Sequence, residues 1–208
     1  MGKSDDTKRE IMKSAVAIFA KKGYAASTTR EIADSAGVSE AALFKYYKNK
    51  KGLLHETVLT FIEQMGLDPV FEGIDDIVKM NKELTTEELF IKLFSDRIYM
   101  IERNFQIFKI LFIEIQYHED VRDIFMEKIM GKILHYTQAI SLILEEREDV
   151  RSDLDYFTII RSFLGGVFLT VMQKKLLPEL DIIKTDMDTE IKNMVDLFMK
   201  GILKEDKK

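Results

Sequence analysis

Cysteine and tryptophan are absent from this chain of 208 residues, proline occurs twice and histidine three times. Without thiols there can be no disulfide framework, no cysteine-ligated zinc and no thiol catalysis. No stretch approaches the roughly 20 successive apolar residues that a bilayer-spanning helix needs. The charged opening MGKSDDTKRE has none of the apolar centre of a secretory leader. A cytoplasmic protein without a membrane segment is expected. Also missing are a glycine-rich phosphate loop, a G-x-S-x-G elbow and any serine, histidine and aspartate set that the helices would bring together, so an enzyme is not expected. No histidine has carboxylates at metal-ligand spacing except within His118–Glu119–Asp120, which reads more simply as a helix start. No metal and no cofactor are expected.

What is present is helix. Hydrophobic residues make up 46% and charged residues 32%, with no strand-like alternation, which points to an all-α fold. The length suffices for one sizeable core, or a core with a small satellite domain. One stretch organises the rest: STTREIADSAGVSEAALFKYYKNKKGLL, residues 27–54. Thr28 and Glu31 stand at capping-box spacing, where each side chain satisfies a free amide at a helix start. Ile32, Ala33 and Ala36 share one face of the helix that follows, and Gly37 ends it, because a left-handed terminating residue is cheapest without a Cβ. Ser39 is placed to cap a second helix reaching about Tyr47. Two short helices around a glycine turn make a helix-turn-helix.

The second helix has an unusual outward face. Leu43 and Tyr47, four apart, can turn inward, which leaves Glu40, Ala41, Phe44 and Lys45 outside and Tyr46 at the edge. Small residues, an aromatic and a lysine suit the base edges and thymine methyls of a major groove. Lys48, Lys50 and Lys51 follow, with Asn49 as the cap of the next helix, and lysines beside free helix-start amides are phosphate-binding chemistry.

At these positions the chain resembles the TetR family of bacterial transcriptional regulators. The pattern runs through Thr28, Thr29, Ile32, Ala33, Ala36, Gly37, Val38, Ser39, Leu43, Phe44, Tyr46, Tyr47, Asn49, Lys50 and Leu53–Leu54, preceded by Phe19 and Gly23–Tyr24. It covers some fifty residues. The resemblance implies a three-helix DNA-binding unit over residues 1–54 and a linking helix to about 66. A larger helical domain over 67–208, for effector binding and dimerisation, would follow. It implies phosphate contacts at Thr28, Thr29, Tyr47 and Lys50, and groove contacts from Arg30, Ser39, Glu40, Ala41, Ala42, Phe44, Lys45 and Tyr46. With alanines at 41 and 42, specificity would lean on Lys45, Arg30 and DNA shape. Charge agrees: residues 1–54 hold 11 Lys and Arg against 6 Asp and Glu, while 55–208 hold 20 against 30. A basic head and an acidic body fit a protein that meets nucleic acid with one end.

Elsewhere, periodicity predicts a first helix over about 7–22, capped by Asp5 or Asp6, and a fourth over about 50–66. Residues 66–86, with Pro69, Gly73 and acids at Asp68, Glu72, Asp75 and Asp76, read as a loop or short broken helix. Helices are expected over about 89–101 and 105–118, then a long one from His118 to about Glu148. Another begins at a Ser152–Asp153 cap and runs to Leu177, and a last one spans about 186–203. Gly165–Gly166 interrupts the penultimate helix at about 1 kcal/mol per glycine, which close helix approach or a ligand would explain.

The resemblance also implies an interior effector site. Aromatic and methionine walls suit a small apolar effector, and polar groups on apolar faces need partners that a ligand could supply. The candidates are Phe94, Arg97, Phe108, Phe112, Glu114, Phe125, His135, Arg161, Phe168 and Met172. Pairing of the last two helices into a homodimer would engage Phe157, Leu164, Gly165, Phe168, Ile191, Val195, Phe198 and Ile202, and a dimer would read a palindromic double-stranded operator. The expectation is therefore a sequence-specific repressor released by its effector. The alternatives are a regulator of the same fold that answers to a protein partner or to no ligand, and a helical protein-binding adaptor.

Overall fold

The computed structural model describes residues 3–64, 67–180 and 185–204. About 81% of the described residues are helical, and no strand occurs among them beyond an isolated bridge between Val150 and Leu203. The helices are α1 (Lys3–Lys22), α2 (Thr29–Ser35), α3 (Glu40–Tyr46), α4 (Lys50–Gln64), α5 (Leu67–Lys79), α6 (Thr86–Arg103), α7 (Phe105–Glu114), α8 (Glu119–Phe125), α9 (Gly131–Glu145), α10 (Tyr156–Leu176) and α11 (Met187–Ile202). They fall into two compact units, Met1–Leu67 with Asn104–Met130, and Asp68–Arg103 with Gly131–Lys208.

In the first unit α1 carries Ile11, Ala15 and Phe19 on one stripe, which packs on Ile32 and Ala33 of α2, Leu43 of α3, and Leu53, Leu54 and Val58 of α4. Three short helices bury little apolar surface by themselves. Ile107, Ile110 and Leu111 of α7 and Val121 of α8 complete this core. That is why residues 104–130 fold with the N-terminal helices, although a linear division at 67 would give them to the C-terminal part. The end of the linking helix, Met65 and Gly66, lies outside the described residues, as do the side chains of Phe61 and Ile62.

In the second unit α6 is the centre. Phe90 and Phe94 meet Phe163 of α10 and Phe198 of α11, with ring centroids 4.6–6.1 Å apart. Ile191, Val195, Met199 and Ile202 line the buried stripe of α11. Arg147 secures the connection between α5 and α6, donating to the carbonyls of Asn81 (2.8 Å) and Leu84 (3.1 Å) and to Thr86 Oγ1 (3.0 Å).

Four local expectations change. Helix α1 already includes Lys3, so Asp5 and Asp6 lie in its first turn rather than capping it. Residues 67–79 form a full amphipathic helix, because Pro69 sits in its first turn, where an amide has no intrahelical partner to lose. Phe71, Ile74 and Ile77 supply its buried side. The long helix expected from His118 has a π-helical turn over Met126–Met130 between α8 and α9. And α10 starts at Tyr156, capped by Asp155, which accepts from the Thr158 amide at 2.8 Å; Asp153 is engaged by Arg151 at 2.7 Å instead.

Candidate nucleic-acid interface

The turn ahead of α2 is built from local bonds. Gly23 closes α1 at φ +80°, and Ser27 Oγ donates to the Tyr24 carbonyl at 2.7 Å. The capping box then forms as its spacing requires: the Glu31 amide donates to Thr28 Oγ1 (3.2 Å) and the Thr28 amide to Glu31 Oε2 (3.1 Å). Such a cap stabilises the helix by about 1 kcal/mol. Lys22 beside it holds the Glu31 carboxyl below the usual carboxylate range. Gly37, at φ +68°, makes the joint, and Ser39 caps α3 through the Ala42 amide at 3.1 Å.

This scaffold turns one face of α3 to solvent. Leu43 is fully buried, whereas Phe44 is 44% exposed and Ala41, Lys45 and Ser39 are exposed beside it. Arg30 projects from α2, and Thr28 is exposed at the cap. Among the described residues no ion pair engages Arg30, Lys45 or Lys48, while Lys8, Lys22 and Lys51 are each held by a carboxylate. Cations without carboxylate partners are available to phosphates and base edges. Glu40 accepts from the Thr29 hydroxyl and so ties α3 to α2. Ala42 and Tyr46 are half-buried at the margin, the Tyr46 hydroxyl accepting from Ser4 at 3.4 Å.

Two expected phosphate contacts point elsewhere. Tyr47 is 2% exposed and donates to the Lys8 carbonyl at 3.3 Å; burial pushes its hydroxyl up to about 12. Lys50 donates to the carbonyls of Ser27 (2.6 Å) and Ala25 (3.3 Å) and lies 4.4 Å above the Tyr24 ring. Both serve the head's own structure: Tyr47 fastens the end of α3 to α1, and Lys50 fastens the start of α4 to the turn before α2. Asn49 caps α4 as expected, accepting from the Gly52 amide at 2.7 Å. His55, expected at the surface, is partly buried with Nε2 2.5 Å from Asp120 Oδ2.

The residues expected to hold an effector fall in both units. Phe108, Phe125 and Met172 are half-buried and Phe112 is exposed. Phe94 is buried against Phe163 and Phe198, and Arg97 is buried with Asp96 as its partner. His135 and Arg161 are exposed, the latter 5.7 Å over the Phe157 ring, so they do not line an interior. Of the expected dimer residues, Phe157, Leu164, Gly165 and Phe168 lie exposed on α10. Ile191, Val195 and Ile202 are instead buried in the unit's own core and Phe198 meets the Phe90 and Phe94 rings of α6 at steep angles, because the amphipathic side of α11 is used there. Gly166 has Met194 and Phe94 at 3.5 Å from where a Cβ would stand, and Gly165 faces open space.

A capped helix-turn-helix with an uncovered, cation-bearing second helix defines a DNA-binding protein of the all-helical class. Residues 11–57 match the family described as bacterial regulatory proteins, tetR family. Over that segment the chain is similar to the TetR family of DNA-binding transcriptional regulators. It is 50% identical over 48 residues to the uncharacterized HTH-type transcriptional regulator YvkB of Bacillus subtilis, a match spanning 23% of this chain and 25% of that protein. With the probable HTH-type transcriptional regulator YttP of Bacillus subtilis it shares 29% identity over 154 residues, 74% of this chain and 69% of the relative. In fold it is similar to the Bacillus subtilis regulator FadR in complex with stearoyl-CoA, with a TM-score of 0.63 and 23% identity, covering 93% of this chain and 98% of that one.

Proposed function

We propose that this protein is a homodimeric repressor that binds a palindromic operator and leaves it when a small apolar effector binds. The observation that carries the reading is the outward side of α2, α3 and the turn after them, where Arg30, Phe44, Lys45 and Lys48 are exposed and the three cations have no carboxylate partner among the described residues. Arg30, Ser39, Glu40, Ala41, Phe44, Lys45 and Tyr46 would face the groove, with Thr28, Thr29 and Lys48 at its phosphates. Residues 1–54 are then the DNA-binding domain, joined by a helix to about 66, and 67–208 serve effector binding and dimerisation. Among the described residues α10 is the one helix long and apolar enough to cross a membrane. Its uncovered residues are read as a subunit interface, and the location as cytoplasmic.

Effector binding draws support from the FadR relative, which was solved with stearoyl-CoA. An acyl chain is the kind of ligand that this chain's phenylalanine and methionine content would accommodate. The test is to recover and sequence the duplexes that the purified protein retains from a random pool at moderate salt. An enriched inverted repeat is the expected result, and its release by long-chain acyl-CoA would extend the reading to the effector. Equal, weak retention of every sequence would overturn it.

A further inference from the structure

Of the residues assigned to the groove and its phosphates, Glu40 alone is acidic. It stands four residues before Phe44 in α3 and shares its face, half-buried at the start of the helix. The exposed cations Arg30 and Lys45 can only donate hydrogen bonds, and Ala41 and Phe44 offer apolar surface. A carboxylate in this company opposes phosphate attraction, so a neutral residue would serve affinity better. Its Oε1 accepts from the Thr29 hydroxyl of α2 at 2.5 Å. Among the described residues no ion pair and no second side chain engages the carboxylate, which leaves Oε2 for another donor. A glutamine could tie α3 to α2 through the same hydroxyl, so the tie does not account for the charge.

We propose that Glu40 is a specificity-determining residue that reads a cytosine in each half-site, and that Thr29 is the positioning residue that holds its carboxylate for that contact. This rests on the reading of α2 and α3 as the DNA-contacting surface. In the major groove the base edges donate only from cytosine N4 and adenine N6. A carboxylate has acceptors alone, so it can pair with either amine and with no edge of guanine or thymine. The adenine amine lies between two acceptors, its own N7 and thymine O4, which repel a carboxylate from both sides. The cytosine amine has guanine O6 on one side only, and is the better partner. Because the Thr29 bond already fixes Oε1, little rotamer freedom remains to be lost when Oε2 meets the base. Wherever no amine meets it, the carboxylate only repels phosphate, so it disfavours wrong sequences as well as favouring the right one.

The experiment repeats the random-duplex selection with full-length wild type, Glu40→Gln, Glu40→Ala, Thr29→Val and Thr29→Ser. Each protein is then titrated with the wild-type consensus and with random duplex, and its melting curve is measured. Wild type should require cytosine at one position of each half-site. Glu40→Gln keeps an acceptor for Thr29 and turns the other oxygen into a donor, so its preference there should move to a purine, whose N7 accepts. Glu40→Ala should select no base at that position, and its ratio of consensus to random-duplex affinity should fall about tenfold. Its random-duplex binding should be tighter than wild type, most of all at low salt. A charge effect alone would strengthen binding to both duplexes equally and leave the ratio unchanged. Thr29→Val should lower the ratio about threefold and Thr29→Ser restore it; a purely structural Thr29 would move the melting temperature and leave base preference as it was. Selection of the wild-type consensus by Glu40→Ala, or by Glu40→Gln, overturns the proposal alone. A wild type that selects no duplex overturns the DNA-binding reading and this proposal with it.

Discussion

Helices α3 and α10 each leave one side uncovered, and the two sides differ in kind. On α3 a single aromatic, Phe44, stands among Ser39, Ala41 and Lys45. On α10, Phe157, Leu164, Phe168 and Leu169 are exposed, with Arg161 as their cation. The helices share a chain and a solvent, so the contrast reflects what each side is meant to meet. A mixed face with free cations suits a charged, grooved polymer. A mainly apolar face of this extent suits a surface of the same character, as a second copy of α10 would provide. The head also finishes its core within one chain, using α7 and α8.

The largest effect should come from breaking the apolar side. Phe168→Arg is expected to give a monomer by light scattering and to weaken operator binding about a hundredfold or more, since two half-sites are then no longer engaged together. An unchanged dimer would remove the α10 interface. On the other side of the contrast, Arg30→Ala and Lys45→Ala should each cost about 1–3 kcal/mol on the preferred sequence and relax base preference at one position. A selected consensus identical to wild type would place the readout elsewhere.

Smaller effects sharpen the difference between buried and presented residues. Tyr47 should behave as core. Its hydroxyl is raised to about 12, so the stability it supplies is complete below the ordinary tyrosine value of 10 and is lost as pH climbs from there towards 12. Melting curves should show this alkaline loss, on the order of 2 kcal/mol, and Tyr47→Phe should abolish it at a cost near neutrality of about 1 kcal/mol. A Tyr47→Phe protein that keeps its stability but loses salt-dependent DNA binding would return Tyr47 to the phosphates. The smallest effect is Gly166→Ala. A Cβ there meets only ordinary contacts at 3.5 Å, so the substitution should stabilise α10 by up to about 1 kcal/mol. Destabilisation would reveal a tighter approach by Met194 or Phe94.

Lys50 and Glu114 mark where sequence reasoning stopped short. A lysine at the start of α4 has phosphate-binding chemistry, and nothing in its neighbourhood along the chain says that its ammonium turns back to the carbonyls of Ser27 and Ala25. A carboxylate on an apolar helix needs a partner, which the sequence made plain; that His118 Nε2 stands nearest, 3.4 Å from Glu114 Oε2, took the structure to show. The stripe of α11 was legible as buried, but packing on α6 and packing on a second subunit predict the same spacing.

The sequence by itself determined the features that close within a turn or two of chain. The Thr28–Glu31 capping box, the glycine joints at 23 and 37, the Ser39 and Asn49 caps and the inward turn of Leu43 all depend on groups at most a few residues apart. Tertiary structure decided the rest. It joined residues 104–130 to the N-terminal core, directed Tyr47 to Lys8 and Lys109 to the Ala20 carbonyl 89 residues away, and left one side of α10 uncovered. The reason is physical: local hydrogen bonds are specified by spacing, whereas burial is indifferent to partner, so an apolar stripe states that it must be covered and leaves open by what.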